Sequence, residues 1–221
     1  MHQIHAVLFD LDGILADSEP WWNQIDAALL AEHGTTYHGE YHRNVLGINY
    51  RLAIEFYKKT FGLTTSTEDL MRRRGEIAKD FFVHKIGLFP SAASTLENLR
   101  DMKLRLAVGT SSVSTSARPF LDRHGLTNFF GAIVTGDEVE HGKPAPDIYL
   151  RAAEKLQVSP ANCLVIEDAP SGIAAAKAAQ MRVAAIPDRR FVDPHGYETA
   201  ADFVLNDLSQ IPHLIRTINK T

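Results

Sequence analysis

The amino-acid sequence predicts an α/β fold, with a doubly wound, Rossmann-like parallel sheet as its core and an inserted α-helical cap domain. Short, nearly continuous apolar runs recur along the chain, each followed by a helical pattern, which is typical of strands covered by helices on both faces. One long segment after the first run breaks this rhythm and has only helical periodicity. The predicted strands are six: Ile4 to Phe9, Leu104 to Val108, Ala132 to Val134, Cys163 to Ile166, Val183 to Ile186 and Phe203 to Leu205.

The long helical segment follows the first predicted strand. Residues 18–84 have helical spacing with little strand signal, and glycines fall where the helices would end. We predict a helical cap of residues 17–86 and an α/β core of residues 1–16 and 87–221. Because ligands bind at the carboxyl ends of the strands in open α/β sheets, a cap in this position is placed to cover a site.

The composition is typical of one globular domain, or of one domain with a modest insertion. The chain has 221 residues, of which 45% are hydrophobic, and this is enough for a substantial core. A formal net charge of −4 provides no general attraction to nucleic acid or to an anionic membrane, so neither is an expected partner. The basic run Arg72-Arg73-Arg74 is interpreted as a solvated helix face.

The single cysteine and the hydropathy pattern indicate the cellular compartment of the protein. Cys163 has no second cysteine to pair with, and its apolar surroundings favour a buried small side chain over a nucleophile. No stretch approaches the roughly 20 apolar residues of a membrane span, and the N-terminus lacks the pattern of a secretion signal. We expect a monomeric protein of the cytoplasm.

Two carboxylates, Asp10 and Asp12, follow the first predicted strand. Side chains two apart on an extended chain share a face, so both can point into one pocket, and Gly13 lets the chain turn away. A calcium loop is the alternative, but its sixth and twelfth positions would be Leu15 and Trp21, which cannot serve. The pair therefore indicates a pocket at the end of the strand.

A second acidic pair, Glu167 and Asp168, follows the fourth predicted strand. Carboxylates at the ends of two parallel strands repel one another unless a cation lies between them. Oxygen ligands favour a hard ion, and Mg²⁺ typically takes one or two carboxylates, waters and phosphate oxygens. Position alone is equally compatible with a magnesium site and with a plain acidic cluster.

Two other strand ends offer groups that can bind an oxyanion. Residues 109–112, with the sequence GTSS, supply hydroxyls and backbone N–H groups at the start of a helix, although an ordinary helix cap has the same appearance. Lys143 lies in the run HGKPAPD, whose prolines restrict the backbone around it. A lysine held beside an acidic metal site can neutralise a phosphate and a nucleophilic carboxylate together.

The order of the motifs DLDG, TSS, GKPAPD and IEDAPSG resembles the four motifs of the haloacid dehalogenase superfamily. The resemblance covers essentially the whole chain, in the branch with a helical cap after the first strand that includes β-phosphoglucomutase and sugar-phosphate phosphatases. Similarity extends to pseudouridine 5′-phosphatase and 2-deoxyglucose-6-phosphate phosphatase. It implies a small phosphorylated metabolite as the partner and phosphorus as the atom attacked.

The resemblance also implies roles for individual residues. Asp10 would be the nucleophile that forms an aspartyl-phosphate, and Asp12 would protonate the leaving alcohol and then activate water. Thr110 and the Ser111 backbone would hold the phosphoryl oxygens, and Lys143 would neutralise charge. Magnesium would be bound by four residues: Asp10, the backbone carbonyl of Asp12, Asp168 and, directly or through another ligand, Glu167.

Phosphatases and mutases of this branch share the core motifs and differ in the cap. The resembling mutases carry a histidine, a Lys-Gly pair and an arginine at positions that correspond here to Trp22, Leu46-Gly47 and Tyr50, although Arg51 leaves the register open. Their absence predicts hydrolysis, with a phosphomutase as the alternative. A catalytically silent regulator that binds a phosphorylated ligand is disfavoured because no core carboxylate or lysine is lost. The cap residues expected to select the substrate are Gly47, Asn49 and Arg51.

Overall fold

The computed structural model describes residues 2–45 and 50–220, and its strands form one six-stranded parallel sheet. Their order across the sheet is β3-β2-β1-β4-β5-β6. The predicted doubly wound parallel sheet is confirmed, with strand ends within two residues of the prediction, which is the usual uncertainty of an element boundary. The strands are β1 (Ala6–Phe9), β2 (Arg105–Gly109), β3 (Ala132–Val134), β4 (Cys163–Glu167), β5 (Arg182–Ala185) and β6 (Phe203–Val204).

Helices connect the strands. In the described part of the chain, α1 to α5 lie between β1 and β2, and the first four of them form the segment inserted after β1, which is helical as predicted. Within the described part of the chain, no helix is both long and apolar enough to cross a membrane. The helices are α1 (Glu19–Ala31), α2 (His42–Val45), α3 (Tyr50–Phe61), α4 (Thr67–His84), α5 (Ala92–Asp101), α6 (Ser114–Arg123), α7 (Asp147–Leu156), α8 (Pro170–Ala178), α9 (Tyr197–Ala200) and α10 (Ile211–Lys220).

Both faces of the sheet are covered, which explains the continuous apolar runs of its strands. In β1, Val7 and Phe9 pack in one core with residues of α5, α6 and α10, while Ala6 and Leu8 pack in a second core with residues of α7 and α8. Cys163 is buried in the second core, and burial raises the pKa of its thiol to about 12. The interpretation of this cysteine as a buried small side chain is therefore confirmed.

The cap helices have a small core of their own and also pack against the sheet domain. Leu30, Ile54 and Leu70 belong to a buried cluster formed by α1 to α4. At the other end of α4, the ring of Phe82 packs edge-on against Phe120 of α6, with 5.8 Å between the ring centroids. The end of α4 therefore joins the cap to the core that covers the sheet.

The chain leaves and re-enters the sheet domain through two segments that lie side by side. Ala16 and Leu88 form an antiparallel bridge, and the Asp17 N–H donates to the Gly87 carbonyl at 2.9 Å. The division into a cap of residues 17–86 and a core of residues 1–16 and 87–221 stays a prediction.

The basic run of α4 differs from its sequence interpretation. Arg72 is exposed and Arg73 is partly exposed, but Arg74 is buried and forms an ion pair with Asp26 of α1, with Nε and Oδ1 2.5 Å apart. The interpretation as a solvated face is therefore wrong for Arg74. The physical reason is helical spacing, because Arg74 lies four residues after Leu70 on the buried face of α4.

Candidate active site

The candidate site lies where the strand order reverses, between β1 and β4. The chain passes from β1 to β2 and β3 on one side of the sheet and then returns to place β4 on the other side of β1. In such sheets a crevice opens outside the carboxyl ends of the strands at this point. Asp10 follows β1 directly, Glu167 ends β4, and a cavity of about 860 Å³ between this edge and the cap is lined by both.

Three carboxylates form one cluster at this edge. Asp10, Glu167 and Asp168 each offer an oxygen atom, and these atoms all lie within 4.8 Å of one another. Burial raises the pKa of Asp10 to about 7 against the opposing charge of Lys143, and burial with repulsion from Glu167 raises the pKa of Asp168 well above its usual value. Oxygen-only donors and excess negative charge suit a hard divalent cation, so these residues fit Mg²⁺.

Lys143 lies inside the acidic cluster. Its side chain is 5% exposed, and its Nζ donates to Asp10 Oδ1 at 2.8 Å and to Glu167 Oε1 at 2.6 Å. Burial alone would lower the pKa of this lysine, but the two carboxylates more than offset burial and raise it. The lysine therefore holds a positive charge between the ends of β1 and β4.

Glu167 is completely buried, and hydrogen bonds engage both of its carboxylate oxygens. Oε1 accepts from Lys143 and, at 2.5 Å, from the hydroxyl of Tyr149, while Oε2 accepts the backbone N–H groups of Asp168 and Ala169 at 3.1 and 3.2 Å. Glu167 thus positions the lysine and the loop that carries Asp168. No sequence signal points to this role of Tyr149, because its place on the apolar face of α7 indicates only burial.

Asp12 occupies a different environment from that of Asp10. Its two carboxylate oxygens accept hydrogen bonds from the hydroxyls of Ser18, at 2.8 Å, and Ser112, at 2.7 Å. Burial raises the pKa of Asp12, although these two hydrogen bonds oppose the shift. Burial thus favours the protonated form of the second aspartate, and the two serine hydroxyls favour the ionised form. From the sequence, Ser112 is expected only among the oxyanion-binding groups of residues 109–112, and no role is assigned to Ser18. Their shared contact with Asp12 depends on the tertiary structure.

The residues of the loop after β2 differ in how far they are exposed to the cavity. Ser111 is exposed and lines the cavity together with Ser112. Thr110 is fully buried, its N–H donates to the Val134 carbonyl at 3.0 Å, and its hydroxyl accepts from the Ser112 N–H at 3.0 Å. Thr110 thus stabilises the loop through these two hydrogen bonds, and its contact with a phosphate stays a prediction.

Of the three cap residues expected to select the substrate, Arg51 is described and lines the cavity, where its Nη1 donates to Glu68 at 3.0 Å. Gly47 and Asn49 lie outside the described residues. Trp22, at one of the positions that distinguish mutases, also lines the cavity and packs edge-on against Phe82.

Two glycines allow the acidic cluster to form, because a side chain at either position would overlap one of the carboxylates of the cluster. A Cβ atom at Gly13 would lie 1.9 Å from Asp168 Oδ2, and the φ angle of Gly13 is +72°. A Cβ atom at Gly172 would lie 1.7 Å from Glu167 Oε1. Both carboxylates therefore approach the backbone more closely than any other residue would allow.

A Gly13→Ala variant is expected to bind Mg²⁺ at least about tenfold more weakly, because the new methyl group displaces the Asp168 carboxylate. Isothermal titration with Mg²⁺ measures this. Gly34→Ala is the matched control, since Gly34 has a φ of +70° with nothing within 4 Å of its Cβ position. Both variants should lose about 1–2 kcal/mol of unfolding free energy from backbone strain. Equal Mg²⁺ affinity in the two variants would contradict the metal assignment.

Residues 7–186, which are more than half of the chain, match the family described as haloacid dehalogenase-like hydrolase. Phosphorylated carbohydrates phosphatase of Thermotoga maritima is 33% identical over 176 residues, covering 80% of this chain and 82% of the relative. (DL)-glycerol-3-phosphatase 1 of Arabidopsis thaliana, a mitochondrial protein, is 32% identical and covers 93% of this chain and 70% of the relative. The resemblance that the four motifs indicate is thereby confirmed.

A solved structure has the same architecture. The crystal structure of CbbY from Rhodobacter sphaeroides in complex with phosphate superposes with a TM-score of 0.82 at 26% identity. The match covers 95% of this chain and 96% of that chain. The sheet and the helical insertion together are therefore shared with that protein.

Proposed function

Because the chain belongs to the haloacid dehalogenase-like hydrolases and is a phosphatase, we propose that it uses Mg²⁺ to hydrolyse a small phosphomonoester, a sugar phosphate or nucleoside monophosphate, through an aspartyl-phosphate. The observation that carries the proposal is a pair of aspartates in unlike environments. Asp10 is paired with Lys143 inside the acidic cluster, while Asp12 lies between two serine hydroxyls. Such a difference suits one carboxylate to attack and its neighbour to carry a proton.

In the first half of the reaction, a carboxylate oxygen of Asp10 attacks phosphorus. The bond between phosphorus and the leaving oxygen breaks, and Asp12 gives its proton to that oxygen, so the alcohol leaves uncharged. Burial raises the pKa of Asp10 to about 7, and the ion pair with Lys143 opposes that rise and favours the ionised form that this step needs. The raised pKa of Asp12, caused by burial, favours the protonated form.

In the second half, water attacks the phosphorus of the aspartyl-phosphate. Asp12, which is now ionised, takes a proton from the water, and the bond between phosphorus and the Asp10 oxygen breaks. Inorganic phosphate leaves and both aspartates return to their first state. Ser18 and Ser112 keep the Asp12 carboxylate oriented between the two halves.

The remaining site residues hold the phosphoryl group and the metal. Ser111 and Ser112 line the cavity and Lys143 supplies positive charge at its base. When bound, Mg²⁺ neutralises charge on the phosphoryl group and holds it beside the nucleophile. The metal would be held by the Asp10 and Asp168 carboxylates and the Asp12 carbonyl, with Glu167 beside them.

The test is release of inorganic phosphate from a panel of hexose, pentose and polyol phosphates and nucleoside monophosphates, with Mg²⁺ and with EDTA. We expect release from one or a few compounds, inhibition by EDTA and recovery with excess Mg²⁺. A rate that EDTA leaves unchanged would remove the metal from the proposal. In parallel, β-glucose 1-phosphate is supplied with a bisphosphate primer, and glucose 6-phosphate formed without net phosphate release would identify the mutase alternative instead.

A further inference from the structure

We propose that the cap selects phosphomonoesters with an uncharged leaving group and discriminates against ligands that carry a second phosphate or a carboxylate. The inference rests on the proposed function of the same cavity and narrows its substrate class. It concerns the cap wall, by which we mean the cavity-lining side chains of α1 to α4, between Glu19 and Phe82. Three observations carry it: how the cations of the cap wall are paired, which acidic groups line the opposite side of the cavity, and the apolar surface of the cap wall.

The cations of the described cap wall already have carboxylate partners. Arg51 forms an ion pair with Glu68 at 3.0 Å, and Arg72 forms ion pairs with Asp69 and Glu76 at 3.3 and 2.8 Å. These three pairs are exposed, so each is weak by itself, but the charge around each arginine is balanced. A second anionic group on the ligand would have to compete with these carboxylates.

Arg74 is the deepest of these cations, and its pairing is the most complete. Its Nε and Nη2 donate to the two oxygens of Asp26 at 2.5 and 3.2 Å, and the hydroxyl of Tyr57 also donates to Asp26 at 2.6 Å. The guanidinium lies 4.4 Å from the ring centroid of Trp22 and 4.7 Å from that of Tyr50. Because separating a buried ion pair leaves an uncompensated charge, this network is not available to bind an anion.

The opposite side of the cavity adds negative charge. Four acidic side chains of the sheet domain line it outside the catalytic cluster: Asp137, Glu140, Asp188 and Asp193. Arg190 forms an ion pair with Asp188 at 2.6 Å, so the negative charge comes from the other three. A ligand whose reacting phosphate lies at Lys143 would place a second anionic group in this field, where like charges repel.

The cap wall also offers apolar surface to the leaving group. Trp22, Tyr50, Met71 and Phe82 line the cavity beside the paired arginine. Aromatic and thioether side chains contribute contact area without charge, and they suit the apolar face of a sugar or nucleoside ring. The charge around the cavity and the apolar surface of the cap wall therefore both favour a phosphomonoester with an uncharged leaving group.

A matched pair of ligands tests the inference: glucitol 6-phosphate and 6-phosphogluconate, which differ only in a terminal CH₂OH or carboxylate. We expect kcat/KM in the wild-type protein, and affinity in the inert Asp10→Asn variant with Mg²⁺, to favour glucitol 6-phosphate at least about tenfold, about 1.4 kcal/mol. Equal values, a preference for 6-phosphogluconate, or no binding of either ligand at millimolar concentration would overturn the proposal.

A substitution in the cap wall tests whether charge is the cause. Met71→Lys adds a cation without removing any of the ion pairs, and Met71→Gln is the uncharged control of similar length. We expect Met71→Lys to lower the preference at least about threefold and Met71→Gln to leave it unchanged, with thermal melting confirming that both fold. An unchanged preference in Met71→Lys would contradict the inference.

The two proposals fail in distinguishable ways. Phosphate release from both ligands at equal kcat/KM would leave the phosphatase proposal intact and overturn the selectivity. A binding preference in the Asp10→Asn variant, without phosphate release from any compound by the wild-type protein, would support the selectivity and overturn the proposed reaction.

Discussion

An Asp10→Asn variant is expected to release phosphate at least about a thousandfold more slowly than the wild-type protein while keeping its fold. The amide cannot act as the nucleophile, so the aspartyl-phosphate does not form. The change is nearly isosteric, the amide oxygen can still accept a hydrogen bond from Lys143, and burial already disfavours the charge of Asp10, so the metal-free fold should not be weakened. Phosphate release at substrate saturation and thermal melting in EDTA measure the two parts of this expectation.

The matched control is Asp101→Asn, at the exposed end of α5. It makes the same chemical change outside the cavity and should leave both the rate and the melting temperature unaltered. If the Asp10→Asn variant retained its rate, the nucleophile assigned here would be wrong. A loss of rate together with loss of the fold would mean that Asp10 has a structural role that the geometry does not indicate.

A Lys143→Met variant is expected to lose activity and to be less stable by about 3–5 kcal/mol in the absence of metal. The substitution removes the cation that donates hydrogen bonds to Asp10 and Glu167, at 2.8 and 2.6 Å. The two carboxylates then stay buried without it. Denaturant unfolding in EDTA measures the loss. Added Mg²⁺ should recover part of it, because a ligand that binds only the folded state stabilises that state.

Lys155→Met provides the comparison for this second variant. Lys155 forms an ion pair of 2.9 Å with Glu138 on the surface, and its side chain is 37% exposed, so its loss should cost less than about 1 kcal/mol. If the two methionine variants unfolded at the same denaturant concentration in EDTA, Lys143 would not be the group that stabilises the acidic cluster.

Local patterns were enough to predict the strands and the acidic groups at their ends. Residues such as Val7 and Leu8 are both buried, because helices cover both faces of the sheet, and this produces a continuous apolar run that is visible in the sequence. Asp10 and Glu167 follow such runs directly. The roles assigned to individual site residues, the monomeric state and the cytoplasmic location stay predictions.

The buried pair of Asp26 and Arg74 shows where local patterns failed. Arg74 ends the basic run Arg72-Arg73-Arg74, whose composition favours a solvated face. Its partner is 48 residues away in the chain, on α1. Helical spacing shows that Arg74 shares a face with Leu70, but only the packing of α1 against α4 shows that a carboxylate lies there to pair with it.

The sequence by itself determined the fold class, the helical insertion after β1, the family and the acidic ends of β1 and β4, because each depends on residues close together in the chain. The tertiary structure alone decided how the site is assembled. Lys143 reaches Asp10 across 133 residues, and Ser112 reaches Asp12 across 100. Such contacts depend on the order of strands in the sheet and on the packing of the cap, and no local pattern of side chains encodes either.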